Sequence, residues 1–161
     1  MKQFKLKTYY KKILADTISP VSVYLKIRDQ FPNSLLLESS DYHGNDNSFS
    51  YICFNPIASI KVEANTVTKN YPDKTTEIRR IESDKVALEI DVFTTQFETQ
   101  KDRTFKFINN GMFGFTAYDA VKYFEDIHIS KKEESIEIPD MYYAVYQNII
   151  AINHFKNEAY I

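Results

Sequence analysis

The segment from Met141 to His154 most strongly limits what this chain can fold into. It contains three tyrosines, three isoleucines and one valine, and it contains no Asp, Glu, Lys, Arg, Gly or Pro. Side chains of this kind pack well on the pleated surface of a sheet, and the absence of proline leaves every backbone N–H available to a neighbouring strand. The segment therefore predicts one long β-strand as the centre of the fold.

Shorter runs predict further strands, because apolar residues in them alternate with polar ones or follow one another directly. These runs are residues 3–8, 34–38, 49–54, 58–62, 67–71, 75–79 and 111–115. Pro72-Asp73 favours a hairpin turn, Asn55-Pro56 divides two of the strands, and the two glycines of 111–115 suggest a close backbone approach. Lys156-Asn157 favours a turn into a returning strand at 159–161.

Three segments have apolar residues at helical spacing: residues 20–30, 84–97 and 117–124. The first opens with Ser19-Pro20, where serine can cap the free N–H groups and proline suits the first turn. In the third, the spacing of Tyr118, Val121 and Phe124 predicts the buried face. The sequence therefore predicts an α+β fold, a mainly antiparallel β-sheet with about three helices.

Composition describes a single packed domain. The chain has 161 residues, of which 43% are hydrophobic, and its formal net charge is −2. This size supports a hydrophobic core without disulfides, and the near-neutral charge gives no electrostatic attraction to nucleic acid or to an acidic membrane. The N-terminal residues lack the apolar core of a signal peptide, and one cysteine cannot form an internal disulfide. We therefore expect a cytoplasmic protein that binds neither nucleic acid nor membrane.

The predicted strand at 159–161 bears on the extent of the domain. A hairpin that stops after its first returning residues would leave an unpaired apolar edge, which natural domains avoid. We therefore expect this chain to be a domain truncated from a longer protein.

No catalytic constellation is evident in the residues. His43, His128 and His154 are far apart and have no metal-ligand spacing, so we expect surface or loop histidines. Cys53 lies in an alternating strand, which favours a small core residue over a nucleophile. No phosphate-binding or nucleophile-elbow motif is present.

The most suggestive polar cluster is Glu38-Ser39-Ser40-Asp41, which follows directly on a leucine run. Carboxylates can bind the ammonium group of a zwitterionic amino acid, while hydroxyls and backbone N–H groups bind its carboxylate. The alternative is a strand end that turns into a polar loop, with the serines bonded to local backbone.

This cluster, read as Leu35-Leu36-Leu37-Glu38-Ser39, resembles the LLES signature of anthranilate synthase component I, a chorismate-utilising enzyme. Other segments resemble blocks of the same family in the same order. They are Ser19-Pro20-Val21-Ser22-Val23-Tyr24, Phe49-Ser50-Tyr51-Ile52 with Asn55-Pro56, the block from Gly111 to Glu125, and Ile138-Pro139-Asp140. The ordered set extends from residue 17 to about residue 155.

The resemblance implies that residues 1–161 are the N-terminal regulatory domain of a two-domain enzyme that makes anthranilate from chorismate for tryptophan synthesis. It implies an L-tryptophan feedback site formed in part by Pro20, Leu37, Glu38, Ser39 and Ser40. The catalytic chorismate-binding domain and its Mg²⁺ would lie outside this chain, which alone would be inactive and without cofactor. The implied partners are that catalytic domain and a glutamine amidotransferase subunit, and an exposed apolar face would allow dimers.

Two alternatives remain open. The chain also suits component I of aminodeoxychorismate synthase, which shares this N-terminal domain and serves folate synthesis. A stand-alone amino-acid-binding module without an attached enzyme is the other alternative.

Overall fold

The computed structural model describes residues 2–38, 48–99, 107–108, 110–127, 129 and 138–161. Its strands are β1 (Phe4–Leu6), β2 (Lys12–Leu14), β3 (Leu35–Leu37), β4 (Phe49–Glu63), β5 (Thr66–Asn70), β6 (Thr76–Arg80), β7 (Phe97–Thr99), β8 (Phe113–Thr116), β9 (Met141–Asn153) and β10 (Glu158–Tyr160). The helices are α1 (Pro20–Ile27) and α2 (Val86–Thr94), with 3₁₀ helices at Ser83–Lys85 and Tyr118–Tyr123. None of the helices in the described part of the chain is long and apolar enough to cross a membrane.

The predicted fold class is confirmed. β10 pairs antiparallel with β2 on one side and with β9 on the other, and β9 lies next to β4. β4 also pairs antiparallel with β3 and with β5, and β5 continues the order to β6. Over the residues that the structure describes, the chain is therefore mainly antiparallel β-sheet with three helical regions.

The chain forms two compact units, to both of which the long strands β4 and β9 contribute. The first, here called the α1 unit, contains Leu6–Ile57, Thr99–Phe113 and Val145–Ile161. The second, here called the hairpin unit, contains Met1–Lys5, Ala58–Glu98 and Gly114–Ala144.

The core of the α1 unit lies between helix α1 and the sheet. Its buried members are Ala15, Ile52, Ile152 and Ala159, and Val23, Tyr24 and Ile27 of α1 and Leu36 of β3 pack against them. Each fully buried branched side chain of this kind contributes roughly 1.5–3 kcal/mol to the stability.

Helix α1 begins where the sequence predicts and ends earlier. The Ser19 Oγ accepts a hydrogen bond from the Ser22 N–H at 3.4 Å, and Pro20 is the first helical residue. The helix ends at Ile27, so Phe31 lies beyond it. The ring of Phe31 instead packs against Phe54, with 4.9 Å between the centroids.

Two expectations for the strands of the α1 unit are wrong. Asn55-Pro56 does not divide β4, because Asn55 adopts a φ of 61° that asparagine tolerates, and the strand continues through it. The returning strand does not leave an open edge, because Ala159 of β10 is opposite Ile13 of β2. The sequence prediction omitted β2, and the argument for truncation from an unpaired edge therefore fails.

The hairpin unit contains the predicted hairpin of β5 and β6. Its turn is closed by the Tyr71 N–H, which donates to the Thr75 carbonyl at 3.0 Å, and Lys74 adopts a φ of 64°. The aromatic rings of Phe4, Tyr71, Phe93 and Phe97 pack together with centroid distances from 5.2 to 5.9 Å. Phe97 begins β7 and is not part of the second helix, which ends at Thr94.

The predicted helix at 117–124 is a 3₁₀ helix with a different buried face. Ala120 and Tyr123 are buried, whereas Tyr118 is 88% exposed and Phe124 is 55% exposed. A 3₁₀ helix has three residues per turn, so positions three apart share a face. Tyr118, Val121 and Phe124 are three apart and do share a face, but the buried face is the one that carries Ala120 and Tyr123, so the predicted buried face is wrong.

The carboxylate of Asp140 joins three segments of the hairpin unit. It accepts hydrogen bonds from Lys122 Nζ at 2.6 Å, from the Tyr123 hydroxyl at 2.7 Å and from the Ala64 N–H at 3.1 Å. The Tyr123 hydroxyl also accepts from the Asn65 N–H at 3.2 Å. The tight turn between β4 and β5 is thereby held to the 3₁₀ helix and to the start of β9.

Candidate functional site

The predicted ligand residues that the structure describes all lie in the α1 unit. Pro20 is buried at the start of α1, Leu37 is the half-buried last residue of β3, and Glu38 follows it with an exposed side chain. Helix α1 packs against β3. Ser39 and Ser40 lie outside the described residues.

The pairing of β3 with β4 determines what lies beside Glu38. Leu36 is opposite Ile52 and Leu37 is opposite Tyr51; Glu38 directly follows Leu37, and Ser50 directly precedes Tyr51. Paired residues share a face of the sheet, and the Leu36–Ile52 pair faces the core beneath α1. The side chains of Glu38 and Ser50, two residues along from Leu36 and Ile52, therefore lie on the same face of the sheet and place polar groups at the end of its apolar surface.

A histidine completes this polar end. The Ser50 Oγ lies 2.7 Å from the His154 Nε2, and Ser50 is completely buried. The His154 backbone N–H donates to the Ser48 carbonyl at 3.1 Å, which fixes the residue beside the start of β4. We call Glu38, Ser50 and His154 the polar cluster.

The electrostatics of the polar cluster leave its imidazole mainly neutral at pH 7. Burial lowers the pKa of His154 from its ordinary value, and the negative charge of Glu38 acts in the opposite direction. Half-burial of the ring outweighs the attraction of the carboxylate. A neutral imidazole carries one donor and one acceptor nitrogen, either of which can pair with a serine hydroxyl.

The residues around the polar cluster suit binding more than covalent chemistry. Burial raises the pKa of Cys53, three residues along β4 from Ser50, to about 12, so its thiol is not a nucleophile near neutral pH. In the part of the chain that the structure describes, no group of three or more His, Cys, Asp or Glu side chains could hold a metal ion. A carboxylate that faces a hydroxyl and an imidazole can bind an ammonium group by charge and hydrogen bonds.

A separate cavity of about 450 Å³ also lies in the α1 unit. Its walls include Thr8, Tyr9, Phe107, Gln147 and Tyr160, and they include none of Pro20, Leu37 and Glu38. The Thr8 hydroxyl and the Asn110 side chain form one wall: the Thr8 Oγ1 lies 3.0 Å from the Asn110 Oδ1 and 2.7 Å from the Asn110 Nδ2. The sequence prediction contained no signal for this cavity, because residues distant in the sequence form it.

Ser50 and His154 were also absent from the predicted site. Their positions in the sequence are 104 apart, and only the adjacency of β4 and β9 brings them together. Ser50 could have been suspected from the sequence, since it is a polar residue within an otherwise apolar strand and its side chain alternates to the same face as the buried Ile52.

Comparison with known proteins identifies what the chain resembles. No family model matches it. Among curated proteins, it is 30% identical over 149 residues to anthranilate synthase component 1 of Lactococcus lactis, which covers 92% of this chain and 30% of that protein. It is 25% identical over 151 residues to aminodeoxychorismate synthase component 1 of Bacillus subtilis, which covers 94% of this chain and 30% of that protein.

A solved structure agrees in fold. The crystal structure of anthranilate synthase component I from Streptococcus pneumoniae matches 92% of this chain with a TM-score of 0.50 and 24% identity, over 30% of its own length. These relatives are all first components of synthases, and the chain is similar to about a third of each. The expected resemblance to anthranilate synthase component I is therefore confirmed.

Proposed function

We propose that this chain is the N-terminal regulatory domain of an anthranilate synthase component I and contributes its L-tryptophan feedback site. The ordered similarity over 92% of the chain supports the relationship. The observation that supports the regulatory assignment is the end of β3, where Glu38 follows the leucine strand and where the adjacent strand β4 carries the buried Ser50 hydroxyl in contact with the His154 imidazole.

In this proposal the Glu38 carboxylate binds the ammonium group of L-tryptophan. Ser39 and Ser40 bind its carboxylate, and Leu37 and the buried Pro20 contribute to the apolar wall. An exposed carboxylate gains modest affinity from one ammonium contact, so the site needs further contacts from the remainder of the enzyme.

The complete enzyme would convert chorismate to anthranilate with glutamine-derived ammonia from an amidotransferase subunit. The chain spans about 30% of the length of the curated relatives that it matches, so this activity would require the remaining part. We therefore propose that this chain alone is inactive and that Mg²⁺ binds in the catalytic domain. No step of the proposed regulation depends on a metal bound by this chain.

Regulation would operate as an equilibrium between two arrangements of the complete enzyme. Tryptophan stabilises an arrangement that binds chorismate poorly, and reciprocity requires chorismate to weaken tryptophan binding by the same factor. A typical coupling of this kind is about 1–3 kcal/mol, which changes the affinity by roughly 5- to 150-fold.

The test compares charge-removing variants of the complete enzyme. Glu38→Gln should raise the tryptophan concentration for half inhibition at least about tenfold, since a charged hydrogen bond contributes about 1.5–3 kcal/mol. Glu98→Gln is the matched control, because Glu98 is an exposed glutamate of the hairpin unit. Ser39→Phe should abolish inhibition by filling the amino-acid pocket. Equal inhibition of all variants would contradict the proposal.

Aminodeoxychorismate synthase remains a second candidate, which the 25% identity to the Bacillus subtilis protein favours. The product of the complete enzyme separates the two. Formation of anthranilate supports the first assignment, and formation of aminodeoxychorismate supports the second.

A further inference from the structure

The walls of the cavity of about 450 Å³ in the α1 unit show what kind of space it is. Five consecutive residues of β9, 145–149, line one side, and the five consecutive residues 6–10 line another. Successive side chains of a strand point to opposite faces of a sheet, so a hollow on one face would be lined by alternate residues. A cavity lined by consecutive residues instead lies along the edge of a strand. We call this cavity the strand slot.

Strand β10 lies between the same two segments, in line with the strand slot. It pairs antiparallel with β2 on one side and with residues 151–153 of β9 on the other. The walls of the slot continue these two strands, since residues 6–10 precede β2 and residues 145–149 precede the paired part of β9. Tyr160 and Ile161, at the end of β10, also line the slot. The strand slot is therefore the space of one further strand segment in the same sheet.

The hydrogen bonds at the end of β10 show which edge of β9 faces the strand slot. The Ile161 N–H donates to the Lys11 carbonyl at 3.0 Å, and the Lys11 N–H donates to the Ile161 carbonyl at 2.9 Å. The backbone groups of successive residues point to opposite edges of a strand, so those of Tyr160 point to its partner Ala151 in β9. The backbone groups of Ala151 therefore point to β10.

The same alternation along β9 directs further backbone N–H and C=O groups into the strand slot. They belong to Ile149, Gln147 and Val145, which follow Ala151 at intervals of two. In the described part of the chain, the ladder between β9 and β10 includes only residues 151–153 of β9. Such an edge is a template for an added strand, because main-chain hydrogen bonds supply the affinity.

We propose that the strand slot binds an extended segment of the remaining part of the complete enzyme, in line with β10 and antiparallel to β9. The inference rests on the proposed function in one respect, that this chain is one domain of a longer enzyme; it spans about 30% of the length of the curated relatives that it matches. A segment of the same polypeptide has a far higher effective concentration at the slot than a separate peptide. The residues that directly follow Ile161 in the complete enzyme reach the slot without a loop, so we assign the segment to them.

The dimensions and chemistry of the strand slot define this segment. Residues 145–149 extend over about 14 Å at about 3.4 Å per residue, so the segment has five residues. Its first, third and fifth residues exchange about six backbone hydrogen bonds with β9. Their side chains lie on the same face as Tyr160, whose ring packs against Phe107 with 4.8 Å between the centroids. We therefore expect an apolar or aromatic side chain at the first position.

Hydrogen exchange in the complete enzyme tests whether the strand slot is filled. The amides of Val145, Gln147 and Ile149 are measured by mass spectrometry at single-residue resolution, with the amide of Ala151 as the internal reference. In the complete enzyme the three amides should exchange within about tenfold of the rate of Ala151. In the 161-residue chain they should exchange at least about a hundredfold faster than Ala151, because the added strand is missing.

A disulfide in the complete enzyme tests the register and the source of the segment. In the proposed register the third residue after Ile161 is opposite Gln147, and paired side chains share a face of the sheet. A cysteine at this third position should therefore form a disulfide with Gln147→Cys on mild oxidation, since the paired Cα atoms lie about 5.5 Å apart. Asn148→Cys with the same third-position cysteine is the matched control, because its side chain points to the opposite face and the pair should not close.

The outcomes separate this inference from the proposed function. Slow exchange at the three amides, with a disulfide in the Gln147 pair only, supports the inference. Fast exchange at these amides in the complete enzyme overturns it, as do equal disulfide yields in the two pairs. Slow exchange without a disulfide in either pair overturns the assignment of the segment to the residues after Ile161. Inhibition of the same enzyme by L-tryptophan is measured separately, and its absence overturns the regulatory assignment while leaving the strand pairing intact.

Discussion

The sharpest structural prediction concerns Gly114, because the backbone of β9 lies so close to this residue that it leaves no room for a side chain. A Cβ at this position would lie 1.9 Å from the Tyr142 carbonyl oxygen and 2.7 Å from the Tyr143 Cα. Carbon and oxygen atoms pack at about 3.3 Å or more, so Gly114→Ala requires a shift of over about 1 Å in β8 or β9. The obstructing atoms belong to the backbone, so no change of rotamer relieves the clash.

Overpacking typically costs about 1–3 kcal/mol, and we expect Gly114→Ala to lie at or above 3 kcal/mol because a strand must move. Gly111→Ala is the matched control. Nothing lies within 4 Å of the Cβ that it would add, but its φ of 141° is strained for alanine, which costs about 1–3 kcal/mol.

Urea unfolding followed by circular dichroism tests this pair. With a slope of about 2 kcal/mol per molar urea, a loss of 3 kcal/mol lowers the midpoint by about 1.5 M. A midpoint for Gly114→Ala within about 0.5 M of the parent chain, or above that of Gly111→Ala, would refute the close approach of β8 to β9.

Three further predictions concern buried groups. Burial raises the pKa of Cys53 from 9.0 to about 12, so the native chain should react with iodoacetamide about a thousandfold more slowly than the urea-unfolded chain, and similar rates would contradict the burial. Burial acts to raise the pKa of Asp140, but hydrogen bonds from Lys122 and Tyr123 outweigh it and lower the pKa below 3.8. The Asp140 carboxylate therefore stabilises the fold at pH values above 3.8, and this contribution is lost as the pH falls through the pKa that Asp140 has in the folded chain. Asp140→Asn should cost about 2 kcal/mol at pH 7 in urea titrations, with a deficit that shrinks as the pH falls through the folded pKa of Asp140, and a deficit that does not depend on pH would refute the sign. Tyr123→Phe should cost about 1–2 kcal/mol through the same contacts, whereas Tyr118→Phe at an 88% exposed position should cost almost nothing, and equal thermal midpoints would contradict the network.

The elements that the sequence predicted correctly are those whose signals are local. The cap and proline at Ser19-Pro20 define the start of α1, and Pro72-Asp73 lies in the turn between β5 and β6. For the 3₁₀ helix at Tyr118–Tyr123 the predicted face was wrong, because Tyr118, Val121 and Phe124 have the same spacing of three as the buried Ala120 and Tyr123, and spacing alone does not show which face meets the core. Strand β2 has only three residues and is formed through its pairing with β10, so no periodicity within it could reveal it.

The residues of the candidate site also divide into those that the local sequence indicates and those that only the fold brings together. The leucine run and Glu38 are adjacent in the sequence, and their chemistry was visible before the fold was known. Ser50 and His154 were not, because their contact depends on the place of β9 beside β4 in the sheet. The resemblance to a family indicated candidate residues that are contiguous in the sequence, and the structure adds candidate residues that are not.

The most direct test of the regulatory assignment is a ¹⁵N-HSQC titration of this chain with L-tryptophan, with L-tyrosine and chorismate as controls. The method detects millimolar binding, which corresponds to only about 4 kcal/mol and suits a partial site. The account predicts saturable shifts for the amides of Glu38, Ser39, Ser40 and His154 that L-tyrosine and chorismate do not reproduce. Absence of saturable shifts at these amides, or equal shifts with all three ligands, would contradict the assignment of a tryptophan site to this domain.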